Sequence, residues 1–214
     1  MAVKKIYLVR HGQTDYNKQG IVQGSGIDSD LNALGRAQGE AFFNAYKQVP
    51  FQKVYTSALK RTMQSVQHFL DLGLPHEALA GLNEISWGNK EGKRYSVQDD
   101  QLYTQMLQDW RNGKVDRRVE GGESPLEVSA RVAEAMAYIV SQPEELVLIC
   151  MHGRAIRVLL ATVLNYPLGE MDAFEHTNLC LYRLTYTGSM YVVNAYNDTA
   201  HLAGLVSEPM AQGK

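Results

Sequence analysis

Apolar positions along the chain switch between two periods, and the switches mark out the elements. A β-branched and aromatic run from Lys5 to Val9 predicts a strand. Residues 10–30, rich in Gly, Gln, Asn and Asp, read as a loop. From Asn32 the residues Leu34, Ala37, Ala41, Phe42 and Ala45 recur at helical spacing. Lys53 to Thr56 predicts a second strand. Ser57 then suits the cap of a helix that runs to about Leu72 and stops at Gly73 and Pro75. Glu77 to Leu82 reads as a third strand, 83–95 as a loop and 96–111 as a polar helix ending at Asn112-Gly113. Ser124 opens a further helix, with Pro125 in its first turn, Val128, Val132, Ala135 and Ile139 on one face, and Pro143 beyond its end. Within Glu145 to Met151 the unbroken apolar run Leu146 to Cys150 is what a strand buried on both faces looks like. Gly153 to Asn165 predicts a helix, and 178–186 and 190–196 two strands joined around Thr187-Gly188. The last eight residues are polar and expected to be loose. Strands alternating with helices indicate an α/β fold on a mainly parallel sheet, with a hairpin-like end.

Composition narrows the range of functions. The chain has 214 residues, 45% hydrophobic and 21% charged, which suits one globular domain and disfavours disorder. Lys plus Arg number 21 against 23 Asp plus Glu, a formal net charge of -2. No general nucleic-acid or membrane-surface binder is expected from that balance. The two cysteines, Cys150 and Cys180, form no CxxC pair or disulfide framework. The run Ile6 to Val9 is too short for a signal-peptide core, and no stretch is long enough to cross a bilayer, so a soluble, cytoplasmic protein is expected.

Four polar clusters sit directly after predicted strands: Arg10-His11-Gly12, Ser57 to Arg61, Asn83-Glu84 and His152-Gly153. In open parallel sheets ligands bind beyond the carboxyl ends of the strands, so all four should meet at one edge. Two Arg, two His and one carboxylic acid make a natural host for a doubly charged phosphate. Helix N-termini near Ser57 and Gly153 would also favour an anion there. A neutral imidazole attacks phosphorus well, and a nearby acid can protonate the leaving oxygen. Taken singly each residue has a duller reading, as a structural hydrogen-bonder or a solvated side chain; their joint placement raises the functional one. His68, His76, His176 and His201 have no such context and receive no role, although the segment His176-Thr177-Asn178 precedes a predicted strand and is a candidate to touch the site.

The segment Leu8 to Asn17, LVRHGQTDYN, resembles the opening motif of the histidine phosphatase superfamily, the group that includes phosphoglycerate mutases. Gln23-Gly24, Asp30-Leu31 and Leu34-Gly35 resemble the segment after it. Ser57 to Ser65 is similar to the second motif, and Leu82-Asn83-Glu84 with Gly88 and Glu91-Gly92 to the acid-bearing segment. Gly121 to Ser124, Arg131, and His152-Gly153 with Ile156-Arg157 complete the order. The resemblance implies a three-layer α/β/α sandwich. It makes His11 the phosphorylated nucleophile and Glu84 the proton donor. Arg10, Arg61, His152 and Gly153 would surround the phosphate, with Asn17, Gln23 and Gly24 as accessory contacts. No metal and no cofactor are implied, and the sequence has no HExxH or zinc-type Cys/His spacing.

The resemblance leans to the phosphatase branch, a phosphoric monoester hydrolase of the histidine acid phosphatase type. Mutases of the superfamily typically carry an Arg-His-Tyr-Gly-like run after the acid, whereas Glu84 is followed by Ile85-Ser86-Trp87-Gly88. Lys90, where many such phosphatases carry Trp, and Met151, where Ser or Thr usually precedes the second His, depart from that branch. The expected partner is a small phosphorylated substrate, with no nucleic acid and no membrane; a homodimer is compatible with the sequence. Residues 83–124 read as a cap on a single domain spanning 1–214. Trp87, Tyr95, Tyr103 and Trp110 are candidates to line it or to pack it. Arg111, Lys114, Arg117 and Arg118 are candidates to bind a second anion or to form a solvated basic loop. Two alternatives stand beside the phosphatase: a 2,3-bisphosphoglycerate-dependent mutase, and a non-catalytic phosphate-binding module.

Overall fold

Strand β1 (Lys4–Arg10) lies inside a six-stranded sheet and sets its architecture. It pairs in parallel with β4 (Leu146–Met151) on one side and antiparallel with β5 (Leu181–Tyr186) on the other. Strand β2 (Lys53–Thr56) pairs with β4, the short β3 (His76–Ala78) closes one edge, and β6 (Tyr191–Asp198) closes the other. The order is β3-β2-β4-β1-β5-β6, with the first four parallel. The computed structural model describes residues 3–94 and 101–205.

Alternation along the strands sends side chains to two cores, one on each face. Ile6, Leu8, Val147 and Ile149 pack with helices α6 (Pro125–Ser141) and α7 (Gly153–Val163). Val9, Leu148 and Cys150 pack with Phe42 of α2 (Ala33–Tyr46) and Phe69 of α4 (Gln67–Asp71). The result is the expected three-layer α/β/α sandwich on a mainly parallel sheet. Side-chain caps fix the helix starts as the sequence predicts. Asn32 accepts the Gly35 N–H ahead of α2, and Ser124 forms a capping box with Glu127 ahead of α6; each cap contributes about 1 kcal/mol.

Three expectations are corrected. The loop at 10–30 contains a short helix, α1 (Asp15–Gln19), capped by Thr14. Helix α3 (Lys60–Ser65) begins three residues after Ser57, because the Ser57 hydroxyl accepts the Leu59 N–H and turns inward. It breaks from α4 at Val66, where the Ser65 hydroxyl donates back to the Arg61 carbonyl at 2.6 Å. The third strand ends at Ala78. Beyond it Leu82 turns into the core, and the carbonyls of Gly81 and Asn83 go to the Arg131 guanidinium instead of a ladder.

The polar helix is observed as α5 (Gln101–Arg111), its predicted start lying outside the described residues along with Tyr95 and the C-terminal residues 206–214. Trp87, Tyr103 and Trp110 are buried packing residues that join the α6–α7 core. Among the described residues no helix is long and apolar enough to cross a membrane.

Candidate active site

The carboxyl ends of β1, β2 and β4 deliver the predicted side chains to one place. Register pairs Arg10 with Met151 and Thr56 with Cys150, so His11, Ser57 and His152 leave the sheet side by side. The His11 N–H donates to the Met151 carbonyl at 2.9 Å, and the two imidazole rings lie 5.1 Å apart between centroids. Arg10, His11, Arg61, Glu84 and His152 are all buried, Arg61 and His152 completely.

Hydrogen bonds set the state of each histidine. Nδ1 of His11 lies 2.7 Å from the Gly12 carbonyl, an acceptor, so Nδ1 carries the proton and Nε2 carries the lone pair. Nδ1 of His152 accepts from Arg61 Nε at 3.2 Å, which puts its proton on Nε2, 2.8 Å from the Ser57 hydroxyl. Burial first, then the Arg61 and Arg10 charges, hold His11 well below the usual imidazole range. His152 is pushed down by burial, then by Arg61 and His11. Both rings are neutral near pH 7.

The cations are held by neutral acceptors. Arg61 donates to the carbonyls of Ile27 at 2.7 Å and Gly24 at 3.2 Å, and burial pushes its pKa down to about 10, still charged at neutral pH. Arg10 donates to Nδ1 of His176 at 3.0 Å, while its buried Nε finds no acceptor among the described residues. An unmet buried N–H costs roughly 1–3 kcal/mol, and a bound oxyanion would remove that cost.

Glu84 is anchored by backbone. Its Oε1 accepts the N–H groups of Ile85 and Ala155, both at 2.9 Å, and its Oε2 accepts that of Arg154 at 3.1 Å. Arg131 braces the segment by donating to the Glu84 carbonyl at 3.1 Å. This corrects the expectation of two open helix N-termini. Glu84 occupies the start of α7, and Asp28 accepts the Lys60 N–H at the start of α3. A carboxylate is the natural partner for those donors.

The accessory residues stitch the His11 loop together. Asn17 closes the capping box with Thr14, and its Oδ1 also accepts from Asn178. Gln23 bridges Thr14 and Ser29, and Gly24 serves through its carbonyl to Arg61. Gly153, the first residue of α7, leaves no room for a side chain: a Cβ there would lie 2.6 Å from His176 Cε1. Sequence reasoning missed Ser57 as a partner of His152 and Ser65 as acceptor of the Gly12 N–H, whereas Asn178, in the segment expected to touch the site, donates to the His11 carbonyl at 3.0 Å. Of the basic stretch, Lys114 and Arg118 pair with Asp109 and Glu127, and Arg111 reaches Asp172, which also holds Arg154 and Arg157.

The chain is similar to known proteins over nearly its whole length. The profile of the histidine phosphatase superfamily (branch 1) matches residues 6–199. A probable phosphoglycerate mutase, GpmB, of Salmonella choleraesuis is 30% identical over 209 residues, covering 92% of this chain and 94% of the relative. Among solved structures, a mycobacterial glucosyl-3-phosphoglycerate phosphatase superposes with a TM-score of 0.80 at 25% identity, covering 92% of this chain and 100% of that one. Bacillus stearothermophilus YhfR superposes with a TM-score of 0.82 at 25% identity, covering 93% and 99%.

Proposed function

The chain belongs to branch 1 of the histidine phosphatase superfamily, and on that footing we propose that it is a metal-independent phosphomonoesterase acting on small phosphorylated metabolites through a phosphohistidine on His11. The observation that carries this reading is the state of His11. A proton fixed on Nδ1 by the Gly12 carbonyl leaves a neutral ring with its lone pair on Nε2, under the influence of the Arg61 and Arg10 charges.

Arg10 and Arg61, with His152 holding Arg61 beside the nucleophile, draw in the phosphoryl group and offset charge on its equatorial oxygens. Nε2 of His11 attacks phosphorus in line with the ester oxygen. Glu84 passes a proton brought in by the substrate's own phosphate to that oxygen as the P–O bond breaks, so no alkoxide has to leave. The carboxylate then takes a proton from water, which attacks phosphohistidine and frees inorganic phosphate and the neutral ring. Residues 83–124, which carry Glu84, act as the cap that selects the leaving group.

The similarity to a probable phosphoglycerate mutase supports a second reading, transfer of the phosphoryl group to another hydroxyl of the substrate with 2,3-bisphosphoglycerate as cofactor. The apolar Ile85 and Trp87 after the acid, and the carboxylates engaging Arg111, Lys114 and Arg118, favour hydrolysis.

The test is hydrolysis of p-nitrophenyl phosphate in chelator, compared with His11→Ala. The wild type should turn over and form an acid-labile phosphoenzyme, and the variant should do neither. Equal rates would overturn the proposal in favour of a non-catalytic module. Isomerisation of 3-phosphoglycerate outrunning phosphate release, with added 2,3-bisphosphoglycerate, would establish the mutase.

A further inference from the structure

His176 lies between α7 and β5, apart from every motif the sequence displays. Its Nδ1 is 3.0 Å from an Arg10 terminal nitrogen. A guanidinium offers only donors, so Nδ1 must accept and the ring proton sits on Nε2. The ring is wedged in place as well: a Cβ on Gly153 would fall 2.6 Å from Cε1 and 3.0 Å from Nε2 of His176, and 3.2 Å from Arg10 Nε. Imidazole and guanidinium are thus packed together over the first residue of α7, next to His152.

The usual partner for a buried arginine is a carboxylate, which fixes the fork and cancels its charge. Here the acceptor is neutral. Burial first, then the charges of Arg10, Arg157 and Arg154, hold His176 far below the usual imidazole range, so it stays uncharged. Arg61 has the same kind of partner in His152. Each guanidinium at the site therefore leans on an imidazole, and among the described residues neither is ion-paired, so an incoming anion can take that place.

We propose that His176 is a positioning residue for Arg10, a neutral acceptor that aims the guanidinium at the phosphoryl group without neutralising it. The proposal rests on the phosphate pocket described above and extends it to a residue outside the superfamily motifs.

Four proteins test it: the wild type, His176→Leu, His176→Asn and His176→Asp. Asn places a neutral oxygen near the position of Nδ1, and Asp matches Asn in shape but adds a charge. The readouts are inorganic phosphate affinity by calorimetry and the split between KM and kcat on p-nitrophenyl phosphate. Losing one charge-assisted hydrogen bond should weaken phosphate binding and raise KM about tenfold in His176→Leu, with kcat changed far less. His176→Asn should recover most of the affinity. His176→Asp should bind phosphate as poorly as the leucine variant, although it can still engage Arg10. Wild-type affinity in a folded leucine variant, an asparagine variant no better than leucine, or an aspartate variant equal to the wild type would each overturn the proposal. If the leucine variant does not fold, the asparagine and aspartate pair decides alone. A wild type that neither binds nor releases phosphate would overturn both this proposal and the phosphatase reading, whereas an active wild type with indifferent variants would overturn this one only.

Discussion

The Nε–H of Arg61 meets Nδ1 of His152 across 3.2 Å, with both side chains completely buried. Among the described residues no carboxylate is in contact with this interior cation, an arrangement that stability alone does not favour. Arg61→Met should lower turnover of p-nitrophenyl phosphate by about 10³ or more, the scale of losing a preorganised electrostatic contact. It should also abolish the rise in melting temperature that inorganic phosphate gives the wild type. Thermal unfolding with and without phosphate measures this, and a full phosphate-dependent shift in the variant would count against Arg61 as an anion ligand.

Glu84→Gln tests the acid and its anchor together. The carboxylate accepts three backbone N–H groups, and a glutamine amide presents an NH₂ to at least one of them. A stability loss of about 1–3 kcal/mol is expected from the orphaned donor. Hydrolysis of alkyl phosphates, which need a protonated leaving group, should slow by about 10²–10⁴. p-Nitrophenyl phosphate should suffer less, because its leaving group is already stable as an anion. Parallel slowing of both substrates would argue that Glu84 only shapes the site.

Acid should weaken the fold before the carboxylates titrate. His11, His152 and His176 all have folded pKa values below their unfolded ones, so below about pH 6.5 the unfolded chain takes up protons that the folded chain refuses. Their contribution to stability is complete above that pH and is lost as pH falls. Each imidazole costs roughly 1 kcal/mol between pH 6.5 and 5.5, and the three together about 3 kcal/mol. Urea unfolding across this window should show the decline, and a wild-type stability flat from pH 6.5 to 5.5 would contradict the burial of neutral rings.

Gly88 joins the acid-bearing segment to the chain that returns at 120–122. Its φ is +48°, and a Cβ would fall 2.1 Å from the Glu120 carbonyl oxygen and 2.5 Å from the Gly122 nitrogen. Both neighbours are backbone and cannot step aside. Gly88→Ala should therefore cost about 2–5 kcal/mol, a left-handed backbone penalty added to overpacking. A melting temperature within a degree of the wild type would show that the two segments can separate freely.

Much of this was legible in the sequence, for identifiable reasons. The run Leu146 to Cys150 reads as an interior strand, as observed, and a strand sends whatever follows it to the sheet edge, so His152 is placed by local pattern. Arg10 ends β1 and His11 follows it in the same way. The two imidazole–guanidinium pairs were not legible, because Arg10 and His176 stand 166 positions apart, and Arg61 and His152 91. Ser57 looked like a cap because serine after a strand usually is one. Its hydroxyl serves His152 because α3 starts later than local preference suggests. The third strand is shorter than its pattern suggests for a related reason: Arg131, on a distant helix, takes the carbonyls of Gly81 and Asn83 in place of a ladder.

The pairing of Arg10 with Met151 has one more consequence. His11 and His152 each stand one residue past adjacent, hydrogen-bonded strands, and their rings are 5.1 Å apart, close to the spacing of neighbouring strands in any sheet. The peptide backbone is the ruler for this pair. A ruler cut by hydrogen bonds cannot be lengthened by exchanging side chains, so in the proposed reaction one phosphoryl group is the gauge the centre would be made to. Variety in what such a protein accepts has to arise outside that gauge, in the chain that folds over the sheet edge.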